Sequence, residues 1–453
     1  MSTNKRRRRK QRLPEETVEA EITAMSSEGR GIAHVEDRTV FIDQALQGER
    51  VLFKYTRMSK KIAEGRAVDI LQPSAQRVVP KCSAFEMCGG CSLQHMSSTT
   101  QVELKQSMLL DQLAHNGVTP EQVLDPLLGP EYGYRHKARL GVRYVNKKEK
   151  VLVGFRERNS SFITETTRCE VLHPSVGEII DELASCINQL QAKRNIPQIE
   201  VAVGEAQTVL VFRHLEELSD DDRTILADFC TSRSLVCYLQ AGKPDDLELL
   251  VPVQAEALFY RLPVDSDSES ESSIRIEFQP SDFTQVNPDI NKQMVLDAID
   301  YLELKETDTV LDLFSGLGNF SLAMAKHCQQ VTAVEGSLVM VKKARDNAEL
   351  NDISNAEFIY ADLYSDDALT ENWTKQKYDK ILLDPPRSGA AEVLPVLKKM
   401  QASKIVYVSC HPATLARDAA VLVNELGYKL KSAGIMNMFP HTGHVESIAV
   451  FEK

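Results

Sequence analysis

The pattern of hydrophobic and polar positions changes twice along the chain. Residues 14–73 alternate short apolar segments with turns, which predicts a small β-barrel of about five strands. Residues 74–280 combine a helical segment near residues 100–117 with apolar strands, which predicts an α+β domain. Residues 281–453 alternate strands and helices regularly, which is typical of a doubly wound, Rossmann-like α/β domain. We therefore expect a multidomain protein.

The predicted strands of the last domain end in polar residues, at the edge where such sheets bind ligands. The strand TVLDLF runs into the glycine loop 315–319, and the next three strands end in Glu335, Asp362 and Asp384. Glu335 lies where an acid can hold ribose hydroxyls. The loop by itself fits either NAD or S-adenosylmethionine, because Ser321 replaces the third glycine of G-x-G-x-x-G.

Asp362 and the Asp-Pro-Pro motif, added to the glycine loop, are typical of S-adenosylmethionine-dependent methyltransferases. This interpretation places Glu335 on the ribose and Asp362 near the adenine, and the segment 283–287 adds an amide that would face the cofactor. The residues expected to bind the cofactor are Gln285, Phe314, Gly316, Asn319, Glu335, Asp362 and Asp384.

Two more residues at strand ends could carry out chemistry. Cys410 follows the strand KIVYVS and precedes a helix, so its thiol is placed as a nucleophile would be. The helix N-terminus is expected to lower the pKa of this thiol. The alternative is a buried core cysteine. Glu446 lies at the start of the otherwise apolar strand VESIAVF.

The spacing of the cysteines predicts a metal site. Cys82, Cys88 and Cys91 form a C-x5-C-x2-C pattern, and Cys169 is a candidate fourth ligand. Four thiolates suit tetrahedral zinc or an iron–sulfur cluster, and spacing does not distinguish the two. Of the nine cysteines, four lie in apolar segments and are expected to be core residues: Cys186, Cys230, Cys237 and Cys328.

The composition, 43% hydrophobic and 26% charged over 453 residues, excludes collagen, coiled coil and chain-wide disorder. No segment has the roughly 18–20 apolar residues of a membrane helix, and no apolar region follows the N-terminal basic run, so we expect a cytoplasmic protein without disulfides. The net charge is −12, yet residues 1–13 contain only basic charges. This arm could contact nucleic-acid phosphates or remain a solvated tail.

Other charged segments also bear on nucleic-acid binding. Basic residues in the predicted barrel could contact RNA, as could a basic and tyrosine-containing stretch at 134–143, although an exposed charged strand would look the same. The residues concerned are Lys54, Arg57, Lys60, Lys61, Tyr134, Arg135, His136, Lys137, Arg139 and Arg143. The acidic, serine-rich run 265–273 is expected to be an exposed hairpin loop without a catalytic role.

Three motifs carry a resemblance to a known family. Residues 408–418 (VSCHPATLARD), 384–389 (DPPRSG) and 441–446 (HTGHVE) resemble the RNA uracil-5-methyltransferases, and residues 14–73 resemble a TRAM domain. The barrel and the four cysteines together are similar to the branch of the family that modifies 23S ribosomal RNA. His411 and His136 depart from the family, which usually has asparagine at both positions.

The resemblance implies a mechanism and partners. The Cys410 thiolate would add to carbon 6 of a flipped-out uridine of 23S rRNA, carbon 5 would take the methyl group of S-adenosylmethionine, and Glu446 would remove the carbon 5 proton. A 4Fe-4S cluster would be held by Cys82, Cys88, Cys91 and Cys169. We also expect a monomer, since no repeat or coiled-coil pattern indicates otherwise, and a protein that binds neither DNA nor a membrane.

Several alternatives remain at this point. The methyltransferase could act on a different rRNA site or on tRNA, and the metal could be zinc. An NAD-dependent oxidoreductase would leave Cys410, Glu446 and the four cysteines without a role. A radical S-adenosylmethionine enzyme usually has C-x3-C-x2-C spacing. A non-catalytic RNA-binding protein fits the barrel and the arm but not the pair Cys410 and Glu446.

Overall fold

A computed structural model describes residues 13–243, 246–265, 273–365 and 370–453. The predicted basic arm lies outside these residues except for its last position, and so does most of the acidic run 265–273. The chain forms two compact units. One contains residues up to Gln101 together with His441–Gly443, and the other contains Val102–Pro440 and His444–Lys453.

The first unit is built on a twisted sheet whose strand order is β1-β5-β6-β4-β3-β2. Its described residues form six strands, one more than the sequence pattern suggested: β1 (Val18–Glu21), β2 (Ala24–Met25), β3 (Gly31–Val35), β4 (Arg38–Asp43), β5 (Arg50–Met58) and β6 (Ile62–Gln72). Alternate residues face one core, including Val40, Val51 and Phe53. Gly65 is required beside Phe53, because a Cβ there would lie 2.5 Å from the ring.

The second unit begins within α1 (Ser98–His115) and contains a sheet of order β13-β12-β11-β10-β8-β9. Its strands are β8 (Lys137–Val145), β9 (Lys150–Gly154), β10 (Gln198–Val203), β11 (Thr208–Arg213), β12 (Leu235–Gln240) and β13 (Leu247–Val251). Helices α2 (Pro174–Gly177), α3 (Ile180–Gln189) and α4 (Asp220–Thr231) lie between them in the chain, and α3 and α4 pack on the sheet. The antiparallel strands β14 (Leu258–Pro263) and β15 (Ser273–Phe278) flank the acidic run, as the two arms of a hairpin would.

The same unit contains the doubly wound sheet that the sequence predicted. In strand order β18-β17-β16-β19-β20-β22-β21-β7, the first five strands are parallel, and β22 runs antiparallel to both of its neighbours. The strands are β7 (Gln122–Val123), β16 (Thr309–Leu313), β17 (Gln330–Glu335), β18 (Ala356–Tyr360), β19 (Lys380–Leu383), β20 (Lys404–Ser409), β21 (Lys429–Met436) and β22 (Glu446–Glu452).

The helices of this sheet are α5 (Pro288–Leu302), α6 (Ser321–Met324), α7 (Leu338–Leu350), α8 (Leu394–Met400) and α9 (Pro412–Asn424). Helix α5 begins at an Asn287 cap, a signal that the sequence pattern alone did not assign. The strands β20 and β22 are buried on both faces along almost their whole length, which explains their nearly continuous apolar sequences, whereas the edge strand β18 is partly exposed. No helix among the described residues is long and apolar enough to cross a membrane.

Candidate active site

A cavity of about 690 Å³ opens at the carboxyl ends of β16, β17, β19 and β20. All seven residues predicted to bind the cofactor line it, and Cys410 lies on the same wall. The residues that sequence reasoning missed include Tyr260, Phe283, Met340 and Tyr364, and their apolar surface makes the cavity suitable for an adenosine-sized ligand. Aromatic and thioether side chains without a motif gave no signal in the sequence.

The glycine loop after β16 adopts backbone conformations that favour glycine. Gly316 and Gly318 have φ values of 56° and 88°, and Phe314 is held at 69°. The Gly316 N–H donates to a carboxylate oxygen of Glu335 over 3.0 Å, which fixes that carboxylate at the end of β17. Glu335 therefore has a defined position from which it can accept hydrogen bonds from ribose hydroxyls.

Asn319 lines the cavity, but protein groups already bind its amide. The side chains of Asn319 and Asn291 exchange two hydrogen bonds of 3.0 Å, and the Tyr260 hydroxyl donates to Asn319 over 2.9 Å. Asn319 therefore orients Tyr260 as a wall of the cavity.

The segment that carries Phe283 and Gln285 is anchored by hydrogen bonds from a lysine of α7. Lys343 donates to the Asp282 carboxylate over 2.5 Å and to the Gln279 side chain over 3.0 Å. Asp282 is almost fully buried and accepts the Gln279 N–H, which closes the turn before Phe283. This turn leaves Phe283 75% exposed at the rim of the cavity, where it can contact a ligand.

The strand register brings Cys410 and Glu446 together. Ser409 in β20 pairs with Ser447 in the antiparallel strand β22. Cys410, the residue after Ser409, therefore lies across from Glu446, the residue before Ser447. The two side chains interact electrostatically, and the Glu446 side chain lies in a buried position with 8% exposure. A candidate nucleophile and a candidate base therefore meet beside the cavity.

The pKa of the Cys410 thiol differs from the sequence expectation. Burial, followed by the carboxyls of Glu446 and Asp384, raises this pKa to about 11, and the nearby Arg387 opposes the shift only in part. The helix α9 does begin after Cys410, but its N-terminus does not outweigh burial and two carboxyls in this protein without substrate. The expected lowering of the thiol pKa was wrong.

The carboxyls of the site are also perturbed. Burial and the neighbouring Asp384 raise the pKa of Glu446 to about 8, and burial raises the pKa of Asp384 to about 7. The cations Arg387 and Lys105 act in the opposite direction on Glu446. Sequence reasoning missed Lys105, since a lysine in the middle of helix α1 carries no motif.

A buried ionic network joins the motif 384–389 to the nucleophile's helix. The Asp418 carboxylate accepts hydrogen bonds from the Tyr407 hydroxyl and the Ala390 N–H, both at 2.7 Å, and from Arg417 at 2.8 Å. Arg417 in turn donates to the Ser388 carbonyl over 2.9 Å. This network fixes the loop after Asp384 relative to the start of α9.

Comparison with known proteins identifies the family. The family model described as tRNA (Uracil-5-)-methyltransferase matches residues 100–453, and the TRAM domain model matches residues 11–68. The chain belongs to the tRNA (uracil-5-)-methyltransferase family. The TRAM match coincides with the sheet of the first unit, which confirms the TRAM-like interpretation of the N-terminal region.

Members of this family resemble the chain over its whole length. Proteins named 23S rRNA (uracil(1939)-C(5))-methyltransferase RlmD are 49% identical in Alcanivorax borkumensis and 48% identical in Alkalilimnicola ehrlichii, and each alignment covers 98% of this chain and 99% of the relative. The relative of that name in Francisella tularensis subsp. novicida is 47% identical, with 99% of both chains covered.

A solved structure shares the fold. The tRNA (uracil-54, C5)-methyltransferase of Pyrococcus abyssi, in complex with S-adenosyl-L-homocysteine, superposes with a TM-score of 0.72 at 24% identity, and covers 96% of this chain and 100% of that one. The likeness confirms the Rossmann-like fold of the C-terminal region.

The two histidines expected to depart from the family pattern lie in different surroundings. His411 is exposed at the cap of α9, and its ring makes no capping hydrogen bond. His136 is half-buried, its Nδ1 lies 2.9 Å from the Tyr134 carbonyl, and its ring lies 4.8 Å from that of His173. Burial lowers the pKa of His136, so this side chain is neutral at pH 7.

The predicted metal ligands are distributed over both units. Cys82, Cys88 and Cys91 lie in the loop region of the first unit, where the Gly90 N–H lies 3.3 Å from the Cys88 sulfur, and Cys169 belongs to the second unit. Within the described ranges, no group of three or more His, Cys, Asp or Glu side chains is arranged to hold a metal ion. The central domain is thus shown as an α+β fold, and its cluster stays a prediction. The four other cysteines assigned to the core are buried as expected.

The contact between the Gly90 N–H and the Cys88 sulfur bears on whether this loop could hold a thiolate-bound metal cluster. Backbone N–H donors and two adjacent glycines, Gly89 and Gly90, are what a cysteine loop needs to wrap a thiolate-bound metal group. The donor chemistry of the three loop cysteines therefore suits either an iron–sulfur cluster or zinc.

Proposed function

We propose that this protein is an S-adenosylmethionine-dependent 23S rRNA (uracil-5-)-methyltransferase. One observation carries the proposal: a single cavity collects all seven predicted cofactor residues and Cys410, and Glu446 lies opposite Cys410 across the strand register. The names of the full-length relatives, at 47–49% identity, support 23S rRNA as the substrate. The cavity residues would bind the cofactor, with Glu335 on the ribose.

The residues of the site fit a covalent mechanism. S-adenosylmethionine, when bound, supplies an electrophilic methyl group. The Cys410 thiol would lose its proton to solvent, and its sulfur would bond to carbon 6 of the uracil while the C5–C6 double-bond electrons move to form an enolate. Carbon 5 would then take the methyl group as the bond between the methyl group and the sulfonium sulfur breaks and S-adenosyl-L-homocysteine leaves. Glu446 then accepts the proton from carbon 5, and the bond between Cys410 and carbon 6 breaks to release the product.

The protonation states set two requirements on this mechanism. Cys410 must lose its proton when the substrate binds, because its pKa of about 11 leaves the thiol protonated at neutral pH. Glu446 must be ionised when carbon 5 carries both the methyl group and the proton, and its pKa of about 8 makes this step sensitive to pH.

The remaining elements of the proposal concern RNA and the cluster. The target uridine is flipped out of the RNA fold to reach Cys410, since a stacked base cannot enter a cavity beside a buried strand end. The TRAM unit and the arm 1–13 bind rRNA, and the protein acts as a cytoplasmic monomer. Cys82, Cys88, Cys91 and Cys169 hold a 4Fe-4S cluster with a structural or RNA-binding role, because methyl transfer from a sulfonium requires no net electron transfer.

The substrate assignment is tested by methyl transfer to defined RNAs. The protein is incubated with labelled S-adenosylmethionine and either unmodified 23S rRNA or unmodified tRNA, and labelled nucleosides are separated by chromatography. We expect 5-methyluridine in 23S rRNA only. Labelling of tRNA instead would support the tRNA alternative, and cofactor binding without labelling of any RNA would support a non-catalytic RNA-binding protein.

The cluster is tested by elemental analysis of anaerobically purified protein. We expect iron and acid-labile sulfide in the wild type, loss of both in Cys169→Ala, and retention in Cys328→Ala, in which a buried core cysteine is removed from the same unit. Zinc without sulfide would exclude the iron–sulfur assignment. Unchanged iron in Cys169→Ala would exclude Cys169 as the fourth ligand.

A further inference from the structure

A buried lysine lies at the inner side of the candidate active site. Lys105 on α1 has 1% exposure, and its ammonium group donates to the Asn437 side-chain oxygen over 2.8 Å and to the Phe439 carbonyl over 2.9 Å. Burying a lysine is costly unless partners compensate for the lost hydration, so its presence here calls for a specific role.

The strand register places this lysine next to the candidate base. Met436, the last residue of β21, pairs with Glu446 at the start of β22. Lys105 binds Asn437, the residue directly after Met436, and it interacts electrostatically with Glu446. A long, flexible side chain is thereby held at the strand end where Glu446 emerges.

We propose that Lys105 is a positioning residue that acts as the buried counter-cation of Glu446 and favours the ionised form of this carboxyl, which removes the carbon 5 proton. The proposal rests on the proposed function, and it adds a residue that none of the motifs contains. Two hydrogen bonds to neutral oxygens fix the nitrogen without neutralising it, which leaves its charge to act on Glu446.

The charges that face Glu446 show why such a cation is required. Burial and the neighbouring carboxyl of Asp384 disfavour a negative charge on Glu446. Arg387 is the opposing cation on the exposed side, and it donates to Nδ1 of His444 over 3.0 Å. Burial and the nearby cations lower the pKa of His444, so this ring is neutral at pH 7 and adds no positive charge. Lys105 is thus the buried cation that acts on Glu446.

Burial also changes the pKa of Lys105 itself. Burial lowers the pKa of Lys105 to about 7, and the carboxylate of Glu446 raises it. Each group favours the charged form of the other, and because Lys105 is charged mainly at and below pH 7, its effect on Glu446 is largest in that range. Removing the lysine leaves burial and Asp384 to keep Glu446 protonated.

The test separates the step that needs Glu446 from the steps that precede it. Enzyme in excess is mixed with labelled S-adenosylmethionine and 23S rRNA between pH 6 and pH 9.5, and the SDS-stable protein–RNA adduct is followed as it forms and resolves. We expect Lys105→Met and Lys105→Gln to form adduct and to resolve it several-fold more slowly than the wild type at pH 6–7, where Lys105 is charged, with the midpoint of the pH profile raised by less than one unit because Lys105 is mostly neutral above pH 8.

Matched variants exclude a general effect of losing a buried lysine. Lys404→Met removes another buried lysine at the opposite end of β20, where it pairs with Glu452 over 2.7 Å, and should leave the pH midpoint unchanged. Lys105→Gln retains an N–H donor for Asn437, so a loss of packing alone would affect it less than Lys105→Met.

The outcomes distinguish the inference from the proposed function. A midpoint in both Lys105 variants equal to that of the wild type, with normal methylation by the wild type, would overturn the role of Lys105 and leave the proposed function intact. A wild type that transfers no methyl group to RNA would overturn both. A raised midpoint in Lys105→Met but not in Lys105→Gln would show a packing effect and would also overturn the counter-cation role.

Discussion

The network around Asp418 gives a prediction that can be calculated from the structure. Asp418 has 0% exposure and accepts charge-assisted hydrogen bonds from Tyr407, Ala390 and Arg417. Replacing it with alanine removes these bonds and leaves the buried Tyr407 hydroxyl without this acceptor. Arg417 is 46% exposed and is not left as a buried charge, so the cost comes mainly from the Tyr407 and Ala390 donors that lose their buried acceptor, at about 1–3 kcal/mol each, and we expect Asp418→Ala to lose about 2–5 kcal/mol of stability.

Two variants provide a graded comparison. Tyr407→Phe removes one donor and leaves the carboxylate with its other partners, so the expected loss is about 1–2 kcal/mol. Glu425→Ala removes an exposed acid just after α9 and is expected to change stability by less than about 0.5 kcal/mol. The predicted order of destabilisation is therefore Asp418→Ala, then Tyr407→Phe, then Glu425→Ala.

The chain contains a suitable probe for this measurement. Trp373 is the single tryptophan, has 1% exposure, and lies in the same hydrophobic core as Tyr407 and Leu415. Its fluorescence during chemical denaturation reports the unfolding of this core. A loss below about 1 kcal/mol in Asp418→Ala, or a larger loss in Tyr407→Phe, would refute the reasoning that the carboxylate is the centre of the network.

Three further predictions concern the cofactor, pH and the cluster. Glu335→Ala should weaken S-adenosylmethionine binding about ten- to hundredfold in calorimetry without changing RNA affinity, because a charge-assisted hydrogen bond contributes about 1.5–3 kcal/mol. Unchanged cofactor affinity would exclude the ribose role. With a pKa of about 8 for Glu446, adduct resolution by the wild type should increase about tenfold from pH 7 to pH 9, and a rate that falls over this range would contradict its role as base. Cys88→Ser should lose iron while its cofactor affinity stays within about twofold, and equal loss of both would contradict a cluster separate from the cofactor cavity.

Much of the fold could be predicted from the sequence because its signals are local. The strands of the C-terminal sheet are continuous apolar runs, and the polar residues at their ends identify the ligand edge without any structure. This is why Glu335, Asp362 and Asp384 were found and line one cavity. Helix α5 was not predicted, because the residues before β16 were not recognised as a helix distinct from the segment 283–287.

The protonation states could not be predicted from the sequence. The pKa of Cys410 depends on burial and on two carboxyls that come from β22 and from the loop after β19, and only the folded sheet brings these groups together. The helix N-terminus next to Cys410 is a local signal, and it predicted the wrong direction. Lys105 lies more than 300 residues from Asn437 and Glu446, so no spacing rule connects them.

The central claim is that Cys410 bonds to the uracil and Glu446 removes the carbon 5 proton. The most direct measurement is mass spectrometry of Glu446→Gln after incubation with S-adenosylmethionine and 23S rRNA, followed by nuclease and protease digestion. We predict a peptide containing Cys410 that carries a uridine nucleotide with one added methyl group, and no such peptide in Cys410→Ala. A Glu446→Gln enzyme that releases 5-methyluridine at the wild-type rate, or methylation by Cys410→Ala, would contradict the account.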